Sequence, residues 1–131
     1  MALSVEDQLA IRDLAARYNH AIDSGDGVAY ADTFVDGGVL DAGELVLQGR
    51  DALGAFASSF AASVRSPRHI ATSLVIDGEG DHAELRAYVQ MLAMVGEPPR
   101  HQITASGTYD DTLVRLGGAW RFVRRTFTGD G

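Results

Sequence analysis

Apolar residues recur at helical spacing in the first half of this chain and at strand spacing in the second. Ile11, Leu14, Tyr18 and Ile22 fall three or four apart, the stripe of an amphipathic helix that starts after a Ser4–Asp7 capping box. That helix should end near Asp23, with Gly25 as its stop, and Asp26 should cap a second, shorter helix running through Phe34. Gly37-Gly38 breaks the pattern, and two short strands are expected at 39–41 and 44–48, joined at Ala42-Gly43. A third helix over 50–64 would bury Leu53, Phe56, Phe60 and Val64, with Pro67 ending it. Beyond Pro67 the period changes from about 3.6 to about 2. Long strands are expected at 69–76, 83–95, 101–116 and 119–127, parted by Asp77-Gly78-Glu79-Gly80, Gly96-Glu97-Pro98-Pro99 and Gly117-Gly118. Helices followed by a meander of long strands predict an α+β fold, with helices on one face of a strongly twisted antiparallel sheet and a cavity at its open end.

Composition narrows the chemistry more than the fold. The 131 residues, 46% hydrophobic and 22% charged, are expected to form one domain over 1–131 with a real core. There is no Cys, and all 11 basic residues are Arg. Cysteine nucleophiles, disulfides, thiolate metal sites and lysine Schiff bases are therefore excluded. Proton transfer by His, Asp, Glu or Tyr is the main chemistry left to a chain acting without a cofactor. The net charge of -7 speaks against a nucleic-acid partner. Arg121, Arg124 and Arg125 cluster near the end, but on a strand they divide between two faces and read as surface or ion-pair residues. No apolar run reaches a bilayer span, and the first residues lack the look of a signal peptide. A cytoplasmic protein without a membrane partner is the expectation. The four His are scattered without ligand spacing, so no metal site is expected, and no glycine-rich phosphate loop suggests a nucleotide cofactor.

Several segments resemble SnoaL-like proteins of the nuclear transport factor 2-like superfamily. Arg17-Tyr18-Asn19-His20-Ala21-Ile22-Asp23-Ser24-Gly25-Asp26 followed by Phe34 is similar to the family's opening, and Gln48-Gly49-Arg50-Asp51-Ala52-Leu53 to the start of its third helix. Gly107-Thr108-Tyr109-Asp110-Asp111 with Gly118-Ala119-Trp120-Arg121-Phe122 resembles its last hairpin. The resemblance implies a cone of curved antiparallel or mixed sheet wrapped around three helices, with an internal pocket and a homodimer or higher homo-oligomer through the outer sheet face. Within the superfamily, scytalone dehydratase and hexachlorocyclohexane dehydrochlorinase carry an Asp at the position of Asp23 and a His at that of His69. His69-Ile70-Ala71-Thr72-Ser73-Leu74 is similar to the dehydrochlorinase's His-x-x-Thr-x-Leu. The match departs elsewhere: the dehydratase's second His has no counterpart in 83–95, and one of its pocket tyrosines falls on Ala42. The dehydrochlorinase's assisting Lys aligns with Tyr18 and its Arg with Arg115. Ketosteroid isomerases share Tyr18 as an oxyanion-binding residue, but their basic Asp falls on Ala42, one residue from Asp41. Limonene-type epoxide hydrolases need an Asp-Arg-Asp set that Arg86-Ala87-Tyr88 does not supply.

Each candidate also has a plainer reading. Asp23 in a last helical turn opposes the helix dipole, at about 0.3–1 kcal/mol, unless a cation or N–H partners it. His69 could be a loop residue after Pro67-Arg68. Strict alternation puts it on one face with Ala71, Ser73 and Val75, and Ile70, Leu74 and Ile76 on the other, bulkier face. Tyr18 lies on the apolar stripe and is either core or a donor to a substrate oxygen. Phe34, Phe56, Phe60, Met91, Tyr109 and Trp120 read as core or pocket wall. Arg115 joins them as a substrate contact by resemblance. His20, His82 and His101 read as surface residues.

The expectation is a cofactor-independent lyase or isomerase, dehydratase-like, acting on a small apolar oxygenated molecule. His69 would act as base, Asp23 as its orienting acid and Tyr18 as hydrogen-bond donor. Two alternatives stand beside it: a polyketide cyclase or ketosteroid-isomerase-like enzyme, and a non-catalytic small-molecule-binding or dimerisation module.

Overall fold

A computed structural model describes Ala2–Gly131. Helix α1 spans Val5–Ser24 and opens on the Ser4–Asp7 capping box. Its buried stripe is Ile11, Leu14, Ala15, Tyr18, Ala21 and Ile22. Gly25 caps its C-terminus at φ 74°, where a Cβ would lie 2.8 Å from that of Ala61, so the position needs glycine twice over. Helix α2 is short, Gly27–Asp32, with the Asp26 carboxylate capping Ala29. It stops before Phe34 because Phe34 opens strand β1 (Phe34–Asp41) and pairs with Phe122, while the Thr33 carbonyl accepts the Phe122 N–H at 2.8 Å. Strand β2 is Val46–Gln48 and helix α3 is Arg50–Ser63. Helix α3 buries Leu53 and Ala57 fully, leaving Phe56, Phe60 and Val64 half-buried.

Four long strands follow: β3 (Arg68–Glu79), β4 (His82–Val95), β5 (Arg100–Leu116) and β6 (Ala119–Gly129). The first hairpin turns on Gly80-Asp81, so β3 continues through the predicted turn at Asp77-Gly78. Gly117 and Gly118, both at positive φ, close the last hairpin. The six strands form one sheet in the order β2-β1-β6-β5-β4-β3. β1 runs parallel to β6, so the sheet is mixed rather than wholly antiparallel. The helices cover its concave face, and the core between them joins Ile11, Tyr30, Phe34, Leu53, Leu85, Leu113 and Phe122.

Extra residues interrupt the alternation in β3 and β6. In β3, Ser73-Leu74 stand opposite Ala87 alone, with Ser73 at φ 55°. In β6, Val123 is the extra residue between Phe122 and Arg124. Such bulges turn every later side chain to the other face. His69 and Ala71 therefore share the inner face with Leu74 and Ile76, while Ile70 and Val75 are exposed. Phe122 and Arg125 likewise both point inward. Among the described residues, no helix is long and apolar enough to cross a membrane.

Candidate active site

Asp23 and His69, 46 residues apart in sequence, meet where the end of α1 crosses the start of β3. Gly25 ends the helix just past Asp23, and Pro67 delivers the chain into β3 beside it. One carboxylate oxygen of Asp23 lies 2.6 Å from His69 Nδ1, and the other accepts the His69 backbone N–H at 2.9 Å. The double contact supplies the N–H partner that an acid at a helix C-terminus needs, and it fixes the ring in direction and tautomer. With Nδ1–H donated to the carboxylate, Nε2 is the nitrogen left with a free lone pair. The two side chains keep 11% and 12% of their surface accessible, so the pair is sheltered without being sealed. Phe60 flanks the imidazole with ring centres 5.4 Å apart.

The imidazole borders a cavity of about 180 Å³. Tyr18 and Ile22 come from α1, Phe56 and Phe60 from α3, Leu40 and Ala42 from the β1 end, and Val89, Met91, Ala105, Tyr109 and Phe127 from the sheet. The only polar side chains in this lining are His69 and the two tyrosines, and no Arg, Asp or Glu side chain reaches it. A third bulge, at Thr104 of β5, sets Ala105 opposite Met91 on the cavity side and turns Ile103 out to solvent. The volume lies below the roughly 300–1,000 Å³ usual for drug-sized ligands.

The tyrosines form one cluster. The Tyr30 hydroxyl donates to that of Tyr18 at 2.8 Å, which leaves the Tyr18 proton for another acceptor. Burial pushes the Tyr18 and Tyr109 phenols well above their ordinary range, so both stay protonated donors. Tyr30, which the sequence did not single out, thus orients Tyr18 from outside the cavity. Its only sequence signal was an aromatic in the short second helix.

Three expected pocket residues stand elsewhere. Phe34 is sealed in the core against Tyr18, Tyr30 and Phe122 because it belongs to β1. Trp120 is buried and its indole N–H donates to Asp7 at 3.0 Å. Arg115 bonds Asp7 and Asp81 and lies over Trp120, tying the start of α1 to the two nearby hairpins. These two residues lie at the helix start, away from the cavity lining. Arg125, taken for a surface or ion-pair residue, is fully buried and paired with Asp111. His20, His82 and His101 are exposed, and the described residues include no group of three or more potential metal ligands.

A curved mixed sheet closed by three helices over a small, aromatic-walled cavity defines the class of fold. The SnoaL-like domain model matches residues 3–126, and the chain belongs to that family. A solved structure of Rv3472 from Mycobacterium tuberculosis, described as of unknown function, is 32% identical, with a TM-score of 0.90 over 95% of this chain and 72% of that one. A protein of Novosphingobium aromaticivorans named as a candidate aromatic ring hydroxylase is 30% identical, with a TM-score of 0.83 over 98% and 92%. Another from Novosphingobium aromaticivorans, named as a candidate scytalone dehydratase, has 23% identity and a TM-score of 0.81 over 97% and 86%, a likeness of fold alone. No protein of curated description matches the chain.

Proposed function

We propose that the protein is a cofactor-independent lyase or isomerase, with dehydration of a compact, neutral, oxygenated substrate as its reaction. The observation that carries this reading is the two-point clamp of Asp23 on His69 beside an apolar cavity whose other polar groups are phenols. His69 Nε2 takes a proton from a carbon next to a carbonyl. Tyr18 hydrogen-bonds the carbonyl oxygen as the electron pair moves onto it. A hydroxyl on the next carbon then leaves with the proton held on the imidazolium, the double bond forms, and water departs. Asp23 stabilises the imidazolium between the two steps. Double-bond migration, or ring closure of a polyketide, would use the same base and donor. With this reading go a cytoplasmic location and a homodimer, for which the exposed apolar outer face around Ile70, Tyr88 and Ile103 would supply the contact.

The test is a panel of small β-hydroxy ketones and phenolic alcohols, followed by absorbance of the conjugated product. His69→Ala and Asp23→Asn should each lower kcat by about 10²–10⁴ while leaving the melting curve cooperative. Rates unchanged in both variants would remove the acid–base reading in favour of a binding module.

A further inference from the structure

One charged group lies behind the cavity wall and takes no part in the scheme above. Arg125 is fully buried, turned inward by the bulge at Val123. Its Nε–H donates to one oxygen of Asp111 at 3.0 Å. Both Nη atoms, and the second oxygen of Asp111, are buried without a hydrogen-bond partner. The guanidinium carbon instead sits 3.4 Å from the ring centre of Tyr109, 4.3 Å from that of Tyr18 and 4.6 Å from that of Phe122.

An ion pair kept only for stability would use both prongs of the fork on both carboxylate oxygens. Even then, apolar residues of like volume hold such a site as well or better. Here the fork is spent on ring faces, and two of the three rings belong to the phenols that line the cavity. Arg125 itself does not line it. Any effect on a ligand must therefore pass through Tyr18 and Tyr109, in a dry setting where a fixed charge acts strongly.

We propose that Arg125, held by Asp111, is a positioning residue whose charge strengthens the Tyr18 and Tyr109 hydroxyls as donors to an oxygen gaining negative charge in the cavity. The proposal rests on the reading above only in placing a substrate oxygen at those hydroxyls. In keeping with it, burial raises both phenols while Arg125 pulls them the other way.

The experiment reads ionisation at equilibrium and needs no turnover. 4-Nitrophenol is titrated into the protein across a pH series, and the phenolate band gives its ionised fraction when bound. Naphthalene, which has no oxygen, reports whether the cavity is intact. Relative to the native chain, Arg125→Met with Asp111→Leu should bind naphthalene within about twofold and hold nitrophenol about tenfold less ionised. Arg125→Lys should restore part of the loss. Equal ionisation in the native and doubly substituted proteins, with naphthalene binding kept, would overturn the proposal. Should the double variant not fold, Tyr18→Phe and Tyr109→Phe decide: ionisation as in the native protein in both would overturn it equally. Naphthalene binding without nitrophenol binding also counts against it, whereas loss of both ligands from the native chain would strike at the functional reading first.

Discussion

Two of the molecule's carboxylate pairs, Asp23 with His69 and Asp111 with Arg125, are built on opposite plans. Asp23 spends both oxygens on His69, one on the ring and one on the backbone, at the edge of an accessible cavity. Asp111 spends one oxygen on Arg125 and leaves the other without a partner, as Arg125 leaves both Nη atoms, in a site with no accessible surface. The first arrangement fixes one nitrogen's protonation and direction. The second fixes a charge against ring faces and tolerates missing hydrogen bonds, each of which costs about 1–3 kcal/mol when buried. A fold keeps such a cost only where other interactions outweigh it.

The largest effect expected from this contrast is on stability. Asp111→Leu strands a buried guanidinium and should cost about 3–5 kcal/mol, whereas joining it to Arg125→Met should return most of that loss. Urea midpoints of the three proteins measure both quantities. A single-variant loss no greater than that of Asp23→Asn would erase the distinction between the pairs. Next comes pH. Burial, which outweighs the pull of Arg125, raises the Asp111 carboxyl from 3.8 to about 6. The native state therefore holds more protons than the unfolded chain between about pH 4 and pH 6, and stability should fall as pH rises through that window. The whole span is worth about 3 kcal/mol. Asp111→Asn should flatten that slope in melts recorded at pH 4, 5 and 6, and an unchanged slope would assign it to other carboxyls. The smallest effect belongs to the edge pair: Asp23→Asn keeps an acceptor for the His69 N–H and should lower stability by only about 1–2 kcal/mol, against the large loss of turnover expected from the proposed mechanism. A denaturant midpoint for that variant as low as that of Asp111→Leu would place Asp23 among structural residues.

The two pairs also differ in how far the sequence reveals them. Asp23 and His69 each sit at an element end marked by its own punctuation, Gly25 after one and Pro67 before the other, so periodicity places each, while the family resemblance supplies their pairing. Arg125 is hidden because strict alternation from Trp120 and Phe122 would send Arg124 inward instead. The residue that reverses this, Val123, carries no local signal of a bulge. The same error of phase makes His69 look opposed to Leu74 and Ile76, when Ser73 brings all three to one face. Helical spacing puts Phe34 on the helix side of a boundary that sheet pairing decides. Family likeness makes Arg115 a substrate contact, whereas its partners, Asp7 and Asp81, lie far off in the chain. The mixed sheet, too, depends on β1 lying beside β6, a long-range pairing that no local pattern announces.

Ser73 acts as a phase slip along β3. The half-strand ahead of it carries the imidazole, and the half behind it anchors Leu74 and Ile76 in the packing beneath α1. Because the two halves keep separate registers against β4, drift in the anchoring half need not be transmitted to the ring. A designer could accordingly reshape the neighbourhood of the imidazole while leaving the scaffold's grip untouched.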